Sequence, residues 1–139
     1  MAAQGYRTVP HTADLRVEAW AQSRGECVAQ ALRGLIASFA DISDVPPARV
    51  LERPMTAGSD ADLLAAAAEE VIYLLDVEGE IPVSIQARPA GAGIVVVLAL
   101  ARAEIVEITG AVPKAVSLHG LRCEPDPTSR WSASMTIDV

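Results

Sequence analysis

Two amphipathic helices among six strand-like segments limit the folds open to this chain. Apolar residues recur at helical spacing from about Arg24 to Ala40 and from Asp60 or Ala61 to about Asp76. The other patterned segments alternate with period two or are short apolar runs, and they predict strands at 13–20, 50–57, 82–87, 94–101, 115–124 and 130–139. Two helices cannot cover both faces of a sheet of that size. We therefore expect an α+β fold, a two-layer sandwich whose mostly antiparallel sheet of about six strands carries both helices on one face.

Local signals mark the boundaries of these elements. Ser23 followed three residues later by Glu26 predicts a capped helix start, and Gly79 predicts the end of the second helix. Gly34 within the first helix costs about 1 kcal/mol relative to alanine, so it indicates close packing at that point. Pro54 cannot donate a hydrogen bond to a neighbouring strand, which favours an edge position for its strand.

The length and charge of the chain limit the classes of function that it can have. With 139 residues it has the usual size of one domain, which we expect to span 1–139. Its formal net charge is −7, and its basic residues are scattered singly. Proteins that bind nucleic acid tightly need a basic surface to neutralise phosphates. We therefore expect no tight direct binding of nucleic acid, whereas an acidic surface suits a metal ion or a basic protein partner.

No segment has the pattern of a membrane anchor or a secretory signal. The longest apolar run, Gly93 to Ala101, is too short to span a bilayer. Because it is apolar on both faces, it predicts a central strand. The sequence favours a soluble cytoplasmic protein. In such a protein Cys27 and Cys123 are expected to be reduced, mostly buried thiols.

Acidic groups fall on the first and last predicted strands. By alternation, Asp14 lies opposite the apolar face of its strand, and so does Asp138. If the two strands pair near these residues, both side chains converge with the terminal carboxylate of Val139. Such an oxygen-only set fits Ca²⁺ or Mg²⁺ and suits Zn²⁺ poorly. His11 would then orient a carboxylate or a bound water. The alternative is that the aspartates are ordinary solvated residues, as strand-end aspartates usually are.

A second group of polar residues lies at the start of the strand predicted over 115–124. Lys114 stands at the strand entrance, and His119 lies opposite the apolar face formed by Val116 and Leu118. Residues in such positions are usually exposed. On spacing alone they carry no specific function.

Three segments together resemble the archease family. They are HTADLRVEAW near the N-terminus, PKAVSLHGLRCE before the last hairpin, and the ending W-x-A-x-x-x-x-D-V. The resemblance covers nearly the whole chain, including the DVEG that follows the second helix. Members of this family act as a protein cofactor of the RNA-splicing ligase, which joins tRNA halves and other RNAs. The resemblance therefore implies a role in tRNA splicing or RNA repair, as an activator rather than an enzyme.

The resemblance also implies a site and a partner. The family's metal ligands fall on Asp14, Asp138 and Val139. The expected cofactor is a divalent metal, calcium first, with magnesium or manganese as alternatives. His11, Lys114 and His119 are candidates for contacts with the partner or around the metal, and the partner is the RNA-splicing ligase. The family's K-A-V-T-Y-H segment has Ser117 and Leu118 here, which removes the aromatic contact of that tyrosine.

Two further functions remain open on the sequence. His11, Asp14 and His119 with a metal-bound water would form the site of a small metal-dependent hydrolase. The chain has no G-x-S-x-G, H-E-x-x-H or P-loop motif, which weighs against that reading. The other alternative is a non-catalytic interaction or chaperone module, in which the aspartates are merely solvated.

Overall fold

The structure is a computed structural model that describes residues 3–10 and 14–139. Two α-helices are present in this part of the chain, α1 (Arg24–Ala37) and α2 (Asp60–Tyr73). A π-helical turn, Leu74–Glu78, follows α2, and a short 3₁₀ turn covers Ala103–Ile105. The strands are β1 (Gly5–Pro10), β2 (Asp14–Ala21), β3 (Ala40–Asp41), β4 (Arg49–Met55), β5 (Glu80–Ala90), β6 (Gly93–Arg102), β7 (Glu107–Ile108), β8 (Ala115–Pro125) and β9 (Trp131–Asp138).

The strands form three antiparallel sheets. Their orders are β1-β2-β9-β8, β4-β6-β5 and β3-β7. Helix α1 packs against β2 and also against β5, whereas α2 packs against β8. The predicted α+β class, its antiparallel pairing and its two helices are confirmed. The sandwich is also confirmed, but its strands are divided among three sheets where one sheet of about six was expected. Most residues of α1 are buried, and the helix packs against strands of both larger sheets.

Most local predictions are confirmed. The Ser23 hydroxyl accepts a hydrogen bond from the Glu26 N–H at 3.2 Å, which caps α1. Gly79 adopts a left-handed conformation with φ of 65° at the end of the π-helical turn. Strand β6 is central in its sheet, and β4, which contains Pro54, is an edge strand. A Cβ at Gly34 would lie 2.8 Å from Cγ1 of Val17, so this glycine does permit a close approach of helix and strand.

An aliphatic core joins the inner faces of the two larger sheets to the helices. Leu32, Leu64, Leu100 and Met135 are almost inaccessible to solvent. Cys27 and Cys123 are both reduced and buried in this core, as the sequence predicted. A hydrogen bond between the two thiols, together with burial, raises the pKa of the Cys27 thiol. Within the described ranges, no helix is both long and apolar enough to cross a membrane.

One carboxylate is buried at the edge of this core. Glu80, at the start of β5, has a side chain that is only 7% exposed. Its oxygens accept hydrogen bonds from Nε and Nη2 of Arg49 at 2.8 and 2.6 Å. These bonds lower the pKa of Glu80 below its ordinary value, against the opposing effect of burial. Because the folded state binds a proton there less readily than the unfolded state, this pair stabilises the fold above the ordinary glutamate value of about 4.3 and loses that contribution as the pH falls further.

We expect Glu80→Gln to lower the free energy of unfolding at pH 7 by about 1 to 2 kcal/mol, because a buried charge-assisted hydrogen bond is lost. The loss is limited because the half-exposed guanidinium of Arg49 can be hydrated instead. The variant should also lose less stability than the wild type between pH 5 and pH 3. Urea unfolding across that range measures both effects. Glu52→Gln is the matched control, because Glu52 pairs with Arg88 at an exposed position and should matter by less than about 0.5 kcal/mol. Equal losses in the two variants would contradict the assigned role of Glu80.

Candidate metal centre

The pairing of β2 with β9 places two carboxylates side by side. In this antiparallel ladder Asp14 lies directly opposite Asp138. Side chains at directly opposed positions have Cβ atoms about 5 Å apart and point to the same face. The sequence-based expectation that the first predicted strand and the last one are neighbours is therefore confirmed. An additional N-terminal strand, β1, pairs with the other edge of β2 and was not predicted.

Both carboxylates are on the outer face of the four-stranded sheet. On the inner face of the same strands, Val17 and Met135 are buried against the helices. Alternation places Asp14 and Asp138 on the opposite face, where Asp14 is half-buried and Asp138 is exposed. Asp14 lines a shallow depression of about 260 Å³ with Val9, Arg16 and Thr136. The site is thus open to solvent.

The last residues are held in place by the sheet and by the core. The Asp138 carbonyl accepts a hydrogen bond from the Lys114 N–H at 2.8 Å. The half-buried Val139 side chain packs against the hydrophobic core. These contacts fix the backbone that follows Asp138. The backbone as far as Val139 is therefore part of the folded domain.

The donor set fits a hard divalent cation. Two like charges directly opposite each other on a sheet are destabilising unless something compensates them. Asp14 and Asp138 offer only carboxylate oxygens, the ligands that Ca²⁺ and Mg²⁺ prefer. Among residues 3–10 and 14–139 no three His, Cys, Asp or Glu side chains cluster in a way that would hold a metal ion. The predicted metal site takes its third oxygen donor from the main-chain carboxylate of Val139. A cluster of three side chains is therefore not required for it.

Lys114 lies on the other side of Asp138. Lys114 immediately precedes β8, and its side chain is exposed to solvent. It lines a cleft of about 480 Å³ whose other walls come from the end of α2, from the π-helical turn and from the segment before β8: Ile72, Leu75, Asp76, Val112 and Pro113. This cleft was not predicted, because it depends on how the end of α2 packs beside β8. The Lys114 N–H also bonds to the Asp138 carbonyl, so one wall of this cleft is joined through the backbone to the strand that carries Asp138.

The remaining candidates lie further away or outside the described residues. His11 belongs to the part of the chain that the structure does not describe. His119 is exposed in β8, in a stretch between Ser117 and Arg122 where pairing with β9 is interrupted. It is four residues beyond Ala115, the β8 residue opposite Asp138, so the structure does not bring it next to the carboxylates. Leu118, where the family has tyrosine, is 74% exposed.

Comparisons with known proteins agree with the resemblance. The family model described as "Archease protein family (MTH1598/TM1083)" matches residues 6–139. Two curated relatives called "Probable protein archease", from Mycobacterium tuberculosis strains CDC 1551 / Oshkosh and ATCC 25618 / H37Rv, are each 46% identical over 135 residues. The match covers 97% of this chain and 75% of each relative.

A solved structure shares the fold. The solution structure of Methanobacterium thermoautotrophicum protein 1598 superposes with a TM-score of 0.77. The match covers 97% of this chain and 99% of that protein. The two sequences are 19% identical, so this similarity supports the fold alone.

Proposed function

Because the chain belongs to the archease family, we propose that it activates an RNA-splicing ligase and is not itself a catalyst. Such a ligase must accept GMP from GTP on its own histidine, with release of pyrophosphate, before it activates RNA ends. In this proposal the protein promotes that guanylylation and permits repeated turnover. Its role in the cell is then in tRNA splicing or RNA repair.

The observation that carries the proposal is the position of Asp14 directly opposite Asp138. With the Val139 carboxylate, these residues hold a divalent cation, calcium first and magnesium or manganese as alternatives. A cation bound there would supply positive charge beside the phosphates in the ligase's nucleotide site. The chain's own residues set its position, since the β2–β9 ladder fixes both aspartates and the Lys114 N–H fixes the carbonyl of Asp138.

Lys114 has a separate role in the proposal. Its ammonium group binds a phosphate oxygen as a point charge. The acidic surface of the protein, with a net charge of −7, is complementary to a basic, RNA-binding ligase. Complementary charge raises the rate of encounter more than it raises the final affinity.

Single-turnover guanylylation tests the proposal. The ligase is mixed with labelled GTP and divalent metal, with and without the protein, and covalent GMP on the ligase is measured. We expect faster guanylylation with the protein present, and more than one ligation per ligase molecule when RNA is added. An unchanged rate would contradict the proposal. Hydrolysis of phosphoesters by the protein without ligase would favour the hydrolase alternative. If added calcium gives no heat of binding and no change in thermal stability, the result would favour the non-catalytic interaction module.

A further inference from the structure

The ion pairs of the molecule show where its charge is left uncompensated. Every arginine pairs with a carboxylate, at nitrogen–oxygen distances from 2.6 to 3.7 Å. Within the described part of the chain, Lys114 is the one basic side chain of an arginine or lysine that makes no such pair. It projects into the cleft at the end of α2. No carboxylate among the described residues pairs with this ammonium group, which leaves it for the phosphate oxygen of the proposed function.

The exposed side of α2 carries acidic groups that are likewise unpaired. Asp62 and Glu69 lie two turns apart, and Asp76 follows after another seven residues in the π-helical turn, so all three fall close to one side. None of the three forms an ion pair among the residues described. By contrast Glu70, on another side of the helix, pairs with Arg53 at 2.9 Å. The carboxylates of Asp62, Glu69 and Asp76 thus contribute to the net negative charge of the protein on the exposed side of α2.

Apolar surface accompanies these charges. The cleft is lined mainly by Ile72, Leu75, Val112 and Pro113, with Asp76 and Lys114 as its charged residues. Val112 is 45% exposed at its border, and Tyr73, one turn from Glu69 on the helix, is 47% exposed. Aromatic residues exposed beside an apolar pocket are typical of protein interfaces. The helix face and the cleft together form one surface, which we call the α2 face: Asp62, Glu69, Tyr73, Asp76, Val112 and Lys114.

We propose that the α2 face is the docking surface for a basic segment of the RNA ligase that carries an apolar side chain. The inference rests on the proposed function and names the surface through which it operates. Charge complementarity assigns the occupant, since the unpaired carboxylates of α2 attract lysine or arginine and repel RNA. The apolar floor of the cleft receives the apolar side chain, and Asp76 at its wall pairs with a neighbouring cation. Lys114 lines the cleft, and its N–H also bonds to the Asp138 carbonyl, so the docking surface is joined through the backbone to the strand that carries Asp138.

The affinity of the full-length ligase for three proteins tests this inference. Glu69→Gln combined with Asp76→Asn removes two charges from the α2 face. Asp44→Asn combined with Glu107→Gln is the matched control, because both residues are exposed, carry no ion pair among the described residues and lie in or next to the β3–β7 pair, outside the cleft. We expect the α2 variant to bind about tenfold more weakly and with a smaller dependence on salt. We expect the control to bind within twofold of the wild type.

A third variant tests the apolar part of the surface. Tyr73→Ser changes an exposed residue, so the fold should tolerate it, as thermal unfolding will check. We expect it to weaken ligase binding at least threefold without changing the heat of calcium binding. Wild-type affinity in both α2 variants, with stimulation of guanylylation intact, would overturn the docking inference and leave the proposed function standing. A wild-type protein that neither binds nor stimulates the ligase would overturn both.

Discussion

Asp14→Asn and Asp138→Asn proteins are expected to lose the stimulation of ligase guanylylation. Each substitution replaces one of two carboxylates that face each other across the β2–β9 ladder. Loss of groups that merely support a metal ligand already costs about 10- to 100-fold in affinity or activity, so loss of a ligand should cost at least as much. Stimulation by either variant should fall at least tenfold, to near the rate of the ligase alone. Single-turnover guanylylation at fixed calcium measures it.

The same variants separate a metal site from a structural role. Because like charges directly opposite on a sheet are destabilising, Asp138→Asn should unfold at the same urea concentration as the wild type, or a higher one, in the presence of chelator. Calcium at 100 times its dissociation constant should stabilise the wild type by about 2.7 kcal/mol and the variant by much less. A variant that is unstable in chelator and also inactive would instead indicate that the carboxylate supports the fold. Asp44→Asn is the control for an exposed aspartate away from the site.

Phe39→Ala is expected to have the largest effect on stability. Phe39 is the only phenylalanine of the sequence, and it is fully buried between the end of α1 and the start of β3. Its carbonyl also accepts a hydrogen bond from the Thr109 N–H at 2.8 Å, which ties this point to the segment after β7. Truncation removes the ring and leaves a cavity, so we expect a loss of about 3 to 5 kcal/mol in the free energy of unfolding.

Chemical denaturation of the purified proteins measures the loss. Leu118→Ala is the control for a large-to-small change at an exposed site, since Leu118 is 74% exposed and should matter by less than about 0.5 kcal/mol. A Phe39→Ala protein within 1 kcal/mol of the wild type would show that the core collapses around the missing ring. In that case the region where α1 meets the β3–β7 pair would be less tightly packed than its burial indicates.

The local elements were predictable because their signals lie within a few residues. Ser23 and Gly79 mark helix boundaries through capping and a left-handed backbone, and Pro54 marks an edge strand. Strand β1 was missed because Tyr6 and Thr8, which lie opposite the inward-facing Ala19 and Val17, are themselves exposed and give a weak alternating pattern. The two-residue strands β3 and β7 are too short for any periodic signal. Division into three sheets depends on which strands pair across long stretches of chain, and periodicity carries no information about such pairing.

The site shows the same limit. Alternation predicted that Asp14 and Asp138 share a polar face, but a shift of two residues in register would preserve that face and separate the carboxylates. Only the three-dimensional pairing fixes them opposite each other. The cleft between Asp76 and Lys114 had no sequence signal, because its walls are almost 40 residues apart and meet through the packing of α2 on β8.

Titration calorimetry with Ca²⁺ measures whether Asp14 and Asp138 hold a metal ion. We expect the wild-type protein to bind one ion, Asp14→Asn and Asp138→Asn each to abolish the heat of binding, and Asp44→Asn to leave it unchanged. Calcium binding by Asp14→Asn and Asp138→Asn with the wild-type affinity would contradict the claim that these two carboxylates hold the metal.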